Sequence, residues 1–165
     1  MRVVGFDPGS ALTGYGVVEG RGSRLHHLAH GVIRTRRDQP AQERLAHIHA
    51  AATALIEQYQ PDAVAVERLY FKQNVTTGIQ VAQARGVLLL AAAQRHCPVG
   101  EFSPTEMKNA VTGYGRADKR QLQDMVQRLL NLDAPPRPDD AADALALAIC
   151  QIQTGRVQQR IESGE

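Results

Sequence analysis

The chain opens on a short apolar run, Val3-Val4-Gly5-Phe6, that closes on Asp7-Pro8-Gly9. An apolar run stopped by a Pro-Gly pair predicts a buried strand. Gly14-Tyr15-Gly16-Val17-Val18 predicts a second strand returning after a tight turn, and the mixed stretch from Arg24 to Thr35 a third. From Ala41 to Gln60 the period changes. Leu45, Ile48, Ala52, Leu55, Ile56 and Tyr59 recur at steps of three and four, which is one apolar stripe of a helix ended by Pro61-Asp62. Ala63–Val66 is a short buried strand running into Glu67. Val75–Gln94 is a second helix rich in Ala and Leu, Pro98–Phe102 a fifth strand, and Pro104–Thr112 a short helix. After the break at Gly113-Tyr114-Gly115, a helix runs from the N-cap Asp118 to about Leu132. Ala134-Pro135-Pro136-Arg137-Pro138 is a rigid linker, and Asp139–Thr154 the last helix.

This order, three strands and then strands separated by helices, predicts an α/β fold: a mixed five-stranded sheet flanked by helices on both faces. Residues 1–155 suit one domain, and the polar tail 156–165 is expected to fray. If the first and fourth strands lie parallel and adjacent, their carboxyl ends share the edge where ligands of open α/β sheets gather.

Composition narrows the setting. Hydrophobic content of 43% is ordinary for a globular chain. No uninterrupted apolar run approaches the roughly 18 residues that span a bilayer, and the strand at the very start leaves no room for a signal peptide. Cys97 and Cys150 fit no ligand spacing and read as thiols of a reducing cytoplasm, the expected location. Net charge is only +2, but its distribution is uneven. Met107 to Arg128 holds Lys108, Arg116, Lys119, Arg120 and Arg128 against Asp118 and Asp124, while Pro138–Asp143 holds three aspartates and no base. A basic segment beside an acidic cluster suits a metal site facing a polyanion. His26, His27 and His30 have no carboxylate or Cys pattern joining them and read as surface residues.

The carboxylates carry the chemistry. Asp7 and Glu67 each close a buried strand, a poor position for stability. Asp140 and Asp143, three apart, share one face of the last helix near its start, and Ala141, Ala142 and Ala144 let that helix approach the sheet. Two carboxylates about 5 Å apart repel by roughly 3 kcal/mol at an effective dielectric of ~20. Divalent cations would cancel that repulsion, and an all-oxygen donor set favours Mg²⁺ or Mn²⁺. A plainer account remains open for each residue alone. Asp140 and Asp143 could be acids favoured by the helix dipole, Asp139 such an acid or the N-cap, and Glu67 a partner of Arg68 or Lys72.

Three segments together resemble the RuvC family of Holliday-junction resolvases. They are Gly5-Phe6-Asp7-Pro8-Gly9-Ser10 with Thr13-Gly14-Tyr15-Gly16-Val17, then Gln83-Ala84-Arg85-Gly86-Val87, and Asp140-Ala141-Ala142-Asp143-Ala144-Leu145-Ala146. The resemblance runs in order to about residue 150. It implies an RNase H-like fold and a homodimer that nicks opposite strands of a four-way DNA junction. It places the catalytic, metal-binding carboxylates on Asp7, Glu67, Asp140 and Asp143, and phosphate-contacting lysines on Lys108 and Lys119. It also places a base-stacking aromatic on Tyr70, with adjacent Phe71 as the other candidate; Arg116 and Arg120 of the basic segment extend the DNA-binding set. The chain uses three lysines against sixteen arginines, and two of the three fall on the matched positions. A compact ammonium and a planar guanidinium are not interchangeable beside a phosphate.

The chemistry expected is two-metal phosphodiester hydrolysis, with two Mg²⁺ or Mn²⁺ ions per site, Asp7 bridging them, and 5′-phosphate and 3′-hydroxyl products. The family implies cooperation with a junction-binding protein and a hexameric branch-migration motor. Two rival readings are a non-catalytic junction-binding module or RNase H-like nuclease acting on RNA, and an actin- or sugar-kinase-like ATP-binding domain. The second needs two lobes around its nucleotide, and 165 residues supply one.

Overall fold

Strand β1 (Arg2–Asp7) is buried on both faces, and its two-residue period sorts the side chains of the molecule into two cores. The structure is a computed structural model describing residues 1–69 and 75–164. Strand β1 pairs antiparallel with β2 (Leu12–Arg21), which pairs antiparallel with β3 (Arg24–Arg34). On its other side β1 runs parallel to β4 (Ala63–Glu67), and β4 runs parallel to β5 (Val99–Phe102), giving the order β3-β2-β1-β4-β5. This is the expected mixed five-stranded sheet.

Val4, Phe6, Val17, Val64 and Val66 face helices α1 (Ala41–Tyr59) and α2 (Val75–Gln94), and pack on Ile48, Ala52, Ile56, Ala84 and Leu88. Val3, Val18, Ala63 and Ala65 face the other way, towards α3 (Pro104–Thr112), α4 (Lys119–Leu130) and α5 (Asp139–Ser163). Side chains alternate along a strand, so Asp7 follows Val3 and Gly5, and Glu67 follows Ala63 and Ala65. Both carboxylates therefore belong to the face that α5 covers.

Helix α5 lies on that face with its backbone almost against the sheet. A Cβ at Gly5 would stand 2.0 Å from the carbonyl oxygen of Ala144, and one at Gly14 would stand 2.0 Å from that of Asp140. Only a hydrogen fits at either position. The alanines of α5 (Ala141, Ala142, Ala144, Ala146 and Ala148) are fully buried and complete the flat contact. The sequence pattern anticipated the alanine half of this contact and not the glycine half.

The ends of the helices follow local chemistry. Ser103 with Glu106 forms a capping box on α3, and Asp118 with Gln121 forms one on α4. Asn131 in the left-handed conformation stops α4 at Leu130, two residues before the expected end. At the carboxyl end, α5 runs to Ser163 and so passes through the segment expected to fray. Arg156 donates to the carbonyls of Ser23 and Arg24 on the β2–β3 hairpin, which gives the polar turn after Gly155 a tertiary anchor.

Helix α2 is long and apolar enough to satisfy a length-and-composition criterion for crossing a membrane. One of its faces packs on α1 through Ala84, Leu88, Ala91 and Ala92.

Candidate metal centre and nucleic-acid interface

Asp7 and Glu67 end the two central parallel strands, whose register runs Val3↔Ala63 to Phe6↔Val66. One further step sets the two acids side by side. Across the other edge of β1, Asp7 stands opposite Gly14, the glycine on which the Asp140 backbone rests. The first turn of α5 is thereby held over the ends of β1 and β4. The loop after Asp7 is braced by Thr13, which is fully buried and donates its hydroxyl to the Gly9 carbonyl at 2.7 Å.

The negative charges of the cluster are felt at Asp7 and Asp143. The Asp7 carboxyl is pushed up to about 8, first by burial and then by the negative charges of Asp143, Glu67 and Asp140, with Lys119 opposing. Asp143 is pushed up to about 6, chiefly by burial; Lys119 lowers it, while Glu67, Asp140 and Asp139 raise it further. Burial also raises Glu67. Among the described residues, no three His, Cys, Asp or Glu side chains stand close enough to grip an ion as they lie. The two observations are compatible, since Coulomb coupling reaches well beyond coordination distance and like charges relax apart. The donor set fits a hard divalent cation, because every donor is a carboxylate oxygen and the repulsion among them is what such an ion would cancel.

Lys119, the first residue of α4, places its Nζ 2.9 Å from Asp139 Oδ2. Asp139 is a junction of contacts. It accepts from Gln123 Nε2 at 2.7 Å, and Arg137 Nη1 lies 3.5 Å away. Gln123 is only 7% exposed, so this polar bridge between α4 and α5 is buried at its α4 end. The Lys119 hydrogen bond holds the Asp139 carboxyl below its usual range and raises the lysine in turn. Asp139 is thus the expected acid in the first turn of α5, and it also positions a lysine.

Lys108 lies on α3 with its side chain partly buried, and Arg116 and Arg120 are exposed on either side of Lys119. Tyr70 and Phe71 fall outside the described residues, as does Lys72. Arg68 reaches the Glu101 carbonyl at 3.1 Å and Glu106 at 3.5 Å. His27 and His30 are partly buried and share a 2.8 Å hydrogen bond with each other, and burial lowers both.

A further residue bears on the site. Arg85 of α2 donates from Nε to the main-chain carbonyl of Glu67 at 3.2 Å and pairs through Nη2 with Glu101 Oε2 of β5 at 2.7 Å. One signal in the sequence marks it: it is the one charged side chain in the twenty residues of α2.

The protein family described as Crossover junction endodeoxyribonuclease RuvC matches residues 3–151. A protein of that name from Thermomicrobium roseum is 54% identical over 159 residues, covering 96% of this chain and 97% of its own length. Another from Thermotoga petrophila is 48% identical over 165 residues, covering 100% of this chain and 99% of its own. Among solved structures, T. thermophilus RuvC in complex with Holliday junction substrate superposes with a TM-score of 0.92 at 36% identity, covering 96% of each chain.

Proposed function

The chain belongs to the RuvC family of crossover junction endodeoxyribonucleases, and on that premise we propose that it resolves four-way DNA junctions with Asp7, Glu67, Asp140 and Asp143 as its metal-binding carboxylates. Its fold is RNase H-like and its activity that of a nuclease. One observation carries the assignment of the site: at a single edge of the sheet, the charges of Glu67 on β4 and of Asp140 and Asp143 on α5 all bear on the buried Asp7 carboxyl of β1. Such an arrangement costs stability and is sustained by function.

Two ions, Mg²⁺ or Mn²⁺, suit four carboxylates. When bound they make water a nucleophile near neutral pH and stabilise the departing 3′ oxygen, which gives 5′-phosphate and 3′-hydroxyl ends. The chain's own part is to hold and orient. The flat glycine–alanine contact fixes Asp140 and Asp143 over Asp7 and Glu67. Lys119, parked on Asp139 in the free protein, exchanges that partner for the scissile phosphate when DNA arrives and offsets its developing charge. Lys108, Arg116 and Arg120 carry flanking phosphates, and Tyr70 or Phe71 stacks on an unpaired base at the crossover.

A junction is nearly two-fold, and paired nicks require two sites related by the same symmetry. Helix α2 offers the surface for a homodimer. Val75, Ile79 and Leu90 are 67%, 50% and 49% exposed, and they align with exposed Gln83 and Gly86 on one stripe of the helix. We further infer a junction-binding protein and a hexameric branch-migration motor as partners, on the family resemblance.

The decisive experiment compares cleavage of a four-way junction, the corresponding duplex and an RNA hairpin, with Mg²⁺ and with chelator. The expected result is paired, religatable nicks in the junction alone, and none in chelator. Equal cutting of duplex or of RNA overturns the assignment.

A further inference from the structure

Glu67 is the last residue of β4, and Arg85 of α2 grips the main chain there. The Arg85 side chain is 17% exposed, and its guanidinium makes two contacts. Its Nε donates to the Glu67 carbonyl at 3.2 Å, and its Nη2 meets Glu101 Oε2 at 2.7 Å. Glu67 and Phe102 are paired in the β4–β5 ladder, so the two anchors lie on neighbouring strands at the same end of the sheet. Backbone hydrogen bonds reinforce that corner, with Arg68 N donating to the Phe102 carbonyl at 2.7 Å. Arg85 thus approaches Glu67 through its carbonyl, whereas the Glu67 side chain belongs to the face covered by α5. Arg85 is the one charged side chain of α2, and it lies against the main chain that carries the carboxylate.

We propose that Arg85 is a positioning residue that sets the reach of the Glu67 carboxylate by stapling the ends of β4 and β5 to α2. This rests on Glu67 being a metal ligand. A planar guanidinium can span a carbonyl and a carboxylate at once, and a lysine ammonium cannot reproduce that fork. Groups that hold a ligand from behind typically change metal affinity by about 10–100-fold when altered. Glu67 ends its strand, and Arg85 adds a side-chain anchor to the ladder pairing with Phe102 and the Arg68 backbone bond that hold its main chain.

The test uses the full chain without DNA. Melting temperature is followed while Mn²⁺ is titrated, for wild type and Arg85→Lys. The substitution is expected to raise the Mn²⁺ concentration at half-maximal stabilisation by about tenfold, the lower end of that range. Single-turnover junction cleavage should show the same shift and recover at high Mn²⁺, while junction affinity in chelator stays within about twofold of wild type, because no phosphate contact is removed. An unchanged Mn²⁺ midpoint, with the variant merely melting lower, makes Arg85 a structural staple and overturns the inference. If Arg85→Lys fails to fold, Glu101→Ala frees the guanidinium from its second anchor at a part-exposed position; it should raise the same midpoint, and no change rejects the proposal. A wild type whose melting ignores Mn²⁺ instead overturns the reading of Glu67 as a ligand, before Arg85 enters.

Discussion

The carboxylate cluster should make the ion-free protein less stable as pH rises, and Asp7→Asn should remove much of that penalty. The Asp7 carboxyl is pushed from 3.8 up to about 8 by burial and three neighbouring acids. Between those values the folded chain keeps a proton that the unfolded chain has released. Raising pH therefore favours unfolding until about pH 8, above which the penalty is constant; below about pH 4 it vanishes. One pKa unit is worth about 1.4 kcal/mol, so from pH 5 to pH 8 the ceiling is on the order of 4 kcal/mol. Coupling to Asp143 and Glu67 spreads that sum over the cluster and lowers what one substitution recovers. Even a quarter of it, about 1 kcal/mol, moves the melting temperature of a chain this size by about 2–4 °C. The assay is thermal melting in chelator at pH 5 and pH 8.5, for wild type and Asp7→Asn. The variant should melt above wild type at pH 8.5, and its advantage should shrink at pH 5. An advantage that does not grow with pH, or a variant that melts below wild type at pH 8.5, refutes the claim that repulsion at Asp7 limits the fold. Saturating Mg²⁺ should reverse the order at pH 8.5, since wild type alone binds the ion fully.

Three other outcomes follow from the same geometry. Glu67→Gln and Asp143→Asn should each lower single-turnover junction cleavage by at least about a hundredfold, with mobility-shift affinity in chelator within a few-fold of wild type, because the DNA grips other surfaces. Lys119→Ala should slow cleavage by roughly 2–4 kcal/mol in activation free energy with a far smaller loss of affinity, and Lys119→Arg should recover affinity and only part of the rate; full recovery of the rate by Arg would show that charge alone suffices. Leu90→Glu on the exposed stripe of α2 should yield a folded monomer by light scattering that binds DNA weakly and makes no paired nicks; a dimer that persists excludes α2 as the interface.

Much of the architecture was legible from short-range pattern. The switch from a two-residue to a 3.6-residue period, with Pro and Gly at the breaks, located each strand and helix to within a few residues, apart from the carboxyl end of α5. Strand-closing acids and the Asp-Ala-Ala-Asp spacing, with the family resemblance, named the four carboxylates. Where the pattern fell short, the cause was a contact distant in sequence. Helix α5 outran its expected end because Arg156 reaches a hairpin more than a hundred residues earlier. The role of Asp139 depends on Lys119 and Gln123 from another helix, and that of Arg85 on two strands it does not adjoin in the chain. The glycines at 5 and 14 looked like turn or strand punctuation until the α5 backbone was laid on them. Periodicity, caps and breakers are properties of a few consecutive residues, and the sequence by itself determined what those control: the elements, their buried faces and the acids at their ends. Which face meets which partner, how closely two backbones approach and which cation stands behind which carboxylate are set by packing among distant segments, and only the tertiary structure decided them.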